Sequence, residues 1–141
     1  MSAQRLPGKP LLEVNGLPII CHVLKKARET QIGDVIVATE DQEIFDQVKK
    51  YKGDAILTSK KPKTGTDRIW EAFKKLNLKD VDYIINLQGD EPLIDIEDIK
   101  NLDNLTKKNN CEINTLATQF DNQKLIENKN IVKVQTENKL E

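Results

Sequence analysis

The chain has 141 residues, 22 of them basic and 23 acidic for a formal charge of -1, with two cysteines, Cys21 and Cys111. Charges of both signs are interspersed, so no global field argues for nucleic acid or an anionic membrane as a partner, and any recognition of phosphate has to be local. No apolar run reaches the ~20 residues of a membrane span and the N-terminus lacks a signal peptide's apolar core, so one cytoplasmic domain over residues 1–141 is expected, its cysteines buried free thiols.

Residues 1–16 carry two prolines and two glycines and read as a loop followed by a turn. In it Arg5 and Lys9 flank a Pro7-Gly8 pair, where proline fixes one φ and glycine permits the turn that aims both cations at one anion; an exposed basic turn is the plain alternative. Pro18 suits the first turn of a helix running to about residue 31, with Ile19, Ile20, Val23, Leu24 and Ala27 as its apolar stripe. His22, the only histidine, lies in that helix with no partner motif and reads as structural.

Residues 35–39 form the next short apolar run, closed by Glu40 and Asp41, and a helix follows to about Tyr51 with Ile44, Phe45 and Val48 inward. Gly53 ends that unit, and residues 55–58 read as another strand. Strand and helix alternate at βαβ spacing, which predicts a parallel sheet covered by helices. Thr64-Gly65-Thr66-Asp67-Arg68 opens a further helix, with Thr64 and Asp67 spaced as a capping box and Trp70 and Phe73 assigned to the core. Only Arg5, Arg28 and Arg68 are arginines. A cation in a first helical turn opposes the dipole, so Arg68 reads as a ligand contact beside Gly65.

Tyr83-Ile84-Ile85-Asn86-Leu87-Gln88 is an apolar run that stops at Gly89-Asp90-Glu91-Pro92. It reads as the central buried strand, residues 84–88, with Gln88 and Asp90 at the carboxyl end where ligands of open α/β sheets gather. A helix start, with both carboxylates facing the dipole, is the other reading. Asp90 there is suited to a hard divalent cation carrying phosphates, and Gly89 to close approach by a ligand. A helix over residues 95–109 follows, then a strand over 113–118, a partly helical stretch over 121–129, a period-two strand over 131–136 and a turn at 137–139.

Arg5-Leu6-Pro7-Gly8-Lys9-Pro10-Leu11, Thr64-Gly65-Thr66-Asp67-Arg68 and Gln88-Gly89-Asp90-Glu91-Pro92, taken in this order, resemble the 3-deoxy-manno-octulosonate (Kdo) cytidylyltransferases, or CMP-Kdo synthetases. The resemblance takes in nearly the whole chain. It implies an α/β, three-layer, Rossmann-like nucleotide-diphospho-sugar transferase fold with a mostly parallel sheet, CTP and Kdo as substrates, magnesium (Mg2+) and a homodimer. It further implies that Arg5 and Lys9 bind the triphosphate and serve catalysis, that Gly65, Thr66, Arg68 and Gln88 line the nucleotide, and that Asp90 binds the metal. The reaction implied is attack of the sugar's anomeric hydroxyl on the α-phosphate of CTP, releasing pyrophosphate for lipopolysaccharide biosynthesis. The family's first strand and its C-terminal part have no counterpart here, so a fragment inactive by itself is expected. Another sugar nucleotidyltransferase, such as a sialic acid cytidylyltransferase, and a non-catalytic nucleotide-binding module are the competing readings.

Overall fold

A computed structural model describes residues 8–134 of the chain. The chain divides into two compact units, Met1–Asn101 and Leu102–Glu141.

The first unit opens with a 3-10 turn at Lys9–Leu11, entered through Gly8 at φ 75°, a conformation glycine adopts without strain. A hairpin follows, β1 (Glu13–Val14) against β2 (Leu17–Pro18), joined by Asn15 and Gly16. Their φ values, 51° and 74°, are both positive, as a two-residue type I′ turn requires. Helix α1 (Ile19–Glu29) starts directly after Pro18, which sets the entry φ, and buries Ile19, Ile20, Cys21, Val23 and Leu24. His22 donates from Nε2 to the Val14 carbonyl at 2.9 Å, tying the helix to the hairpin.

Strand β3 (Ile36–Thr39), helix α2 (Gln42–Lys50) and strand β4 (Asp54–Leu57) make the βαβ unit that the spacing predicts, and the two strands pair in parallel from Ile36↔Asp54 to Thr39↔Leu57. Asp41 caps α2 by accepting from the backbone of Glu43 and Ile44. Val48, wholly buried, packs with Ile20, Cys21 and Leu24, and Leu17, Val35, Val37, Ile44, Tyr51 and Ala55 close around them. Gly53 sits where nothing larger fits, because a Cβ there would lie 2.5 Å from Leu24 Cδ2 and 2.6 Å from Val48 Cγ1.

Helix α3 (Gly65–Leu76) has the capping box read from the sequence, with reciprocal 3.1 Å bonds between Thr64 and Asp67. Its core residue differs from the expected ones. Ala72 is buried, whereas Trp70 is 55% exposed, its ring stacked on Phe73 with the Lys74 ammonium 5.4 Å from its centre. Trp70 lies one position off the Ile69, Ala72, Phe73 and Leu76 stripe, so the helix turns it outward.

Residues 84–88 form no strand, contrary to expectation, and Ile84 and Ile85 are exposed. An apolar β-branched run becomes a strand only through a hydrogen-bonded neighbour, and among the described residues the parallel ladder contains β3 and β4 alone. Among the described residues the segment has no ladder partner. Residues 113–118 are likewise outside any ladder, with Ile113 90% exposed, and the expected strand over 131–136 is not formed at 131–134. Its last two residues and the turn at 137–139 lie outside the described residues.

Helix α4 (Ile96–Asn109) contains the boundary between the units. In the first unit its Ile99 is buried. In the second, Asn114 donates to Thr106 Oγ1 at 2.9 Å, and α5 (Gln123–Glu127) is capped by the Asn122 side chain. Cys21 is a buried thiol whose pKa is pushed up by that burial, while Cys111 is half-buried rather than buried. No helix among the described residues is long and apolar enough to cross a membrane.

Candidate functional site

Two groups of residues singled out in the sequence come together in space. In the first, the Lys9 ammonium donates to Asp90 Oδ2 at 2.9 Å across 81 positions of sequence. The turn at Gly8 delivers the lysine, and the tight turn after Gln88 delivers the aspartate. Both side chains are more than a third exposed, so the pair adds about 1 kcal/mol at most to stability. Its significance is positional. A cation and a carboxylate side by side on an open surface are groups of the kinds that can meet a phosphate and a divalent cation.

In the second group, the Gln88 side-chain amide lies against Gly65 at the start of α3; a Cβ on Gly65 would be 3.6 Å from Gln88 Nε2. Gln88 also donates to Asn86 Oδ1 at 3.2 Å. Since Gln88 and Asp90 flank Gly89, one short turn carries a member of each group. Arg5 lies outside the described residues, and Thr66 is an exposed first-turn residue of α3.

Arg68 has protein partners of its own. It donates to Thr58 Oγ1 at 2.6 Å and to the Ser59 carbonyl at 3.4 Å, and it pairs with Glu40 at 2.6 Å. These partners follow the carboxyl ends of β3 and β4, so Arg68 fastens α3 there. Glu71 reinforces the fastening by accepting from Ser59 N at 2.6 Å and Ser59 Oγ at 2.7 Å, and it pairs with Lys75 at 2.9 Å. The two Ser59 bonds, with help from Lys75, hold the Glu71 carboxyl down at about 2.

Gly89 also has a packing role: a Cβ there would come within 2.7 Å of Ile20 Cδ1, so the missing side chain lets the turn seat on α1. Lys26 of α1 donates to the Ile94 carbonyl at 2.7 Å, a contact across 68 positions that no local pattern announces. Glu40, Ser59 and Glu71 were equally silent, because their partners meet only once β3, β4 and α3 are assembled.

No three His, Cys, Asp or Glu residues gather as a metal cage among the described residues. A single partly exposed carboxylate, Asp90, suits magnesium, which keeps several waters and shares substrate phosphates instead of filling an all-protein site. A cleft lined by Arg28, Gly33, Asp34, Val35, Ile36 and Asp54 lies at the amino ends of β3 and β4. That is the end of a parallel sheet opposite to where ligands gather.

Known proteins resemble this chain over most of its length. The 3-deoxy-manno-octulosonate cytidylyltransferase of Thermodesulfovibrio yellowstonii is 46% identical over 136 residues, covering 92% of this chain and 53% of that protein. That of Wigglesworthia glossinidia brevipalpis is 40% identical over 132 residues, covering 94% and 54%. The solved structure of CMP:2-keto-3-deoxy-manno-octonic acid synthetase complexed with CTP superposes with a TM-score of 0.70 at 38% identity, over 77% of this chain and 44% of that one. The chain thus spans about half the length of these relatives, and its α/β architecture with a small parallel sheet is that of a nucleotide-diphospho-sugar transferase. The cytidylyltransferase family profile matches residues 1–141, and the chain belongs to that family.

Proposed function

We propose that the chain is the nucleotide-binding part of a cytoplasmic Kdo cytidylyltransferase, which joins CTP to Kdo and releases pyrophosphate for lipopolysaccharide assembly. The observation that carries this reading is the 2.9 Å approach of Lys9 to Asp90, next to the Gln88 and Gly65 contact. In the reaction the anomeric hydroxyl oxygen of Kdo bonds to the α-phosphorus, the bond from that phosphorus to the bridging oxygen breaks, and the hydroxyl proton passes to water. Such a transfer depends on positioning and on cations where oxyanion charge develops.

Lys9 supplies one such cation to the triphosphate, and Arg5 stands four positions before it. Gly65 and Thr66 present backbone at the N-terminus of α3 to the nucleotide, and Gln88 offers it an amide. Arg68 approaches the same end of the sheet, its guanidinium anchored by Glu40. Asp90 would hold magnesium, which when bound neutralises charge on the phosphate oxygens. Loading the site separates Lys9 from Asp90, each exchanging the other for its share of the ligand.

Calorimetric titration of CTP with and without magnesium tests this in the parent chain and in Asp90→Asn. Magnesium should tighten CTP binding to the parent only, and metal-free binding to Asp90→Asn should be equal or tighter because Lys9 is released. An unchanged magnesium response in Asp90→Asn removes Asp90 from the site. Absence of any CTP binding by the parent overturns the reading.

A further inference from the structure

Residues 88–94, which carry Asp90, fold into two successive turns closed by Glu91 N to Gln88 O at 3.4 Å and Ile94 N to Glu91 O at 3.3 Å. Bonds this long hold a loop's shape weakly. Its placement comes from three outside contacts: Lys9 with Asp90, Gly89 against Ile20, and the Lys26 ammonium on the Ile94 carbonyl at 2.7 Å. The first is the one that ligand binding breaks under the function proposed above. What remains then is the apolar seat at Gly89 and the charge-assisted bond from Lys26.

We infer that Lys26 is a positioning residue of the site: it pins the loop at residue 94 to α1 and so sets where Asp90 presents its carboxylate once Lys9 has turned to the nucleotide. The geometry favours this role. Lys26 is half-buried on a helix whose Ile20, two turns back, already meets Gly89, so the loop is held at both ends on one rigid element. Among the described residues its ammonium has no carboxylate partner; its bond goes to a backbone carbonyl, which fixes the main chain rather than another side chain.

Amide hydrogen exchange and calorimetry on Lys26→Met and Lys26→Arg test the inference. Lys26→Met keeps the aliphatic stem and removes the donor. It should speed exchange several-fold at residues 89–94 while leaving α2 and β3 unchanged, and Lys26→Arg should restore protection. The magnesium-dependent gain in CTP affinity should fall about tenfold in Lys26→Met, the lower end of what losing an outer-shell partner costs a metal site, with metal-free CTP binding unaffected. Parent-like exchange at residues 89–94 in Lys26→Met, or acceleration spread evenly over the whole chain, overturns the role. Because the role rests on the proposed function, the two can fail separately: a parent that binds no CTP removes the function, while the exchange data still decide whether Lys26 pins the loop.

Discussion

Glu71 shows how a single side chain can be both exposed enough to titrate and committed enough to matter. Ser59 through its hydroxyl and backbone N-H, and then Lys75, favour the charged form and hold the carboxyl at about 2, against an ordinary 4.5. In the unfolded chain the group takes its proton near the ordinary value, whereas in the folded chain it resists until about 2. Its stabilising contribution is therefore complete above the ordinary value and is lost as pH falls through this window. Denaturant midpoints measured from pH 6 down to 2 should decline less steeply for Glu71→Gln than for the parent, and parallel curves would show that the Ser59 bonds contribute nothing. The residues of the site differ in how visible they were. Lys9 follows Gly8, and Gln88 and Asp90 flank Gly89 at the end of an apolar run, a local signal, and the fold brings Lys9 to 2.9 Å from Asp90. Lys26 and Glu71 look like ordinary polar positions on helix faces, because what singles them out is a partner 68 or 12 positions away.

At the scale of elements, patterns closed by short-range bonds could be read directly. The Thr64 and Asp67 capping box, the Pro18 helix start and the β3-α2-β4 unit need no information from beyond a few turns of chain. Residues 84–88 and 113–118 read as strands but form none, because a ladder depends on a neighbour, and hydrophobicity alone does not supply one. Trp70 differs for a related reason: its aromatic size suits a core, but its position on the helix turns it outward. The glycines divide in the same way. Gly8 and Gly16 answer a local need for positive φ, but Gly53 is required by packing, with Leu24 and Val48 occupying the space of a Cβ. Gly53→Ala should overpack the junction of α1, α2 and β4 and lower stability by about 1–3 kcal/mol. Thermal or urea unfolding measures this directly, and a midpoint equal to the parent's would mean that Leu24 can move aside.

Over the whole molecule, apolar side chains outside helices and strands face water: Val81 is 41% exposed, Ile84 48%, Leu93 90%, Ile113 90% and Val132 90%. Isolated exposed apolar residues are common, but β-branched ones on backbone with no ladder are templates for pairing with another chain. The formal charge of -1 offers little repulsion against it, and the sequence pI of about 5.9 lies within the working range of most buffers. Self-association of this chain is therefore expected to grow with concentration, to be strongest near the pI and to weaken at higher pH as net negative charge accumulates. Ile84→Lys puts a charge in place of Ile84, more exposed than Val81 or Ile85 in the unpaired run before the site. Since Ile84 is already half in water, the change should alter stability by no more than about 0.5 kcal/mol. Light scattering over a concentration series, at pH 6 and at pH 8.5, should show the parent rising above its 16.1 kDa mass and Ile84→Lys staying closer to it. A parent that remains monomeric throughout, or an Ile84→Lys chain that associates as strongly, would show that residues 81–88 are not the adhesive segment.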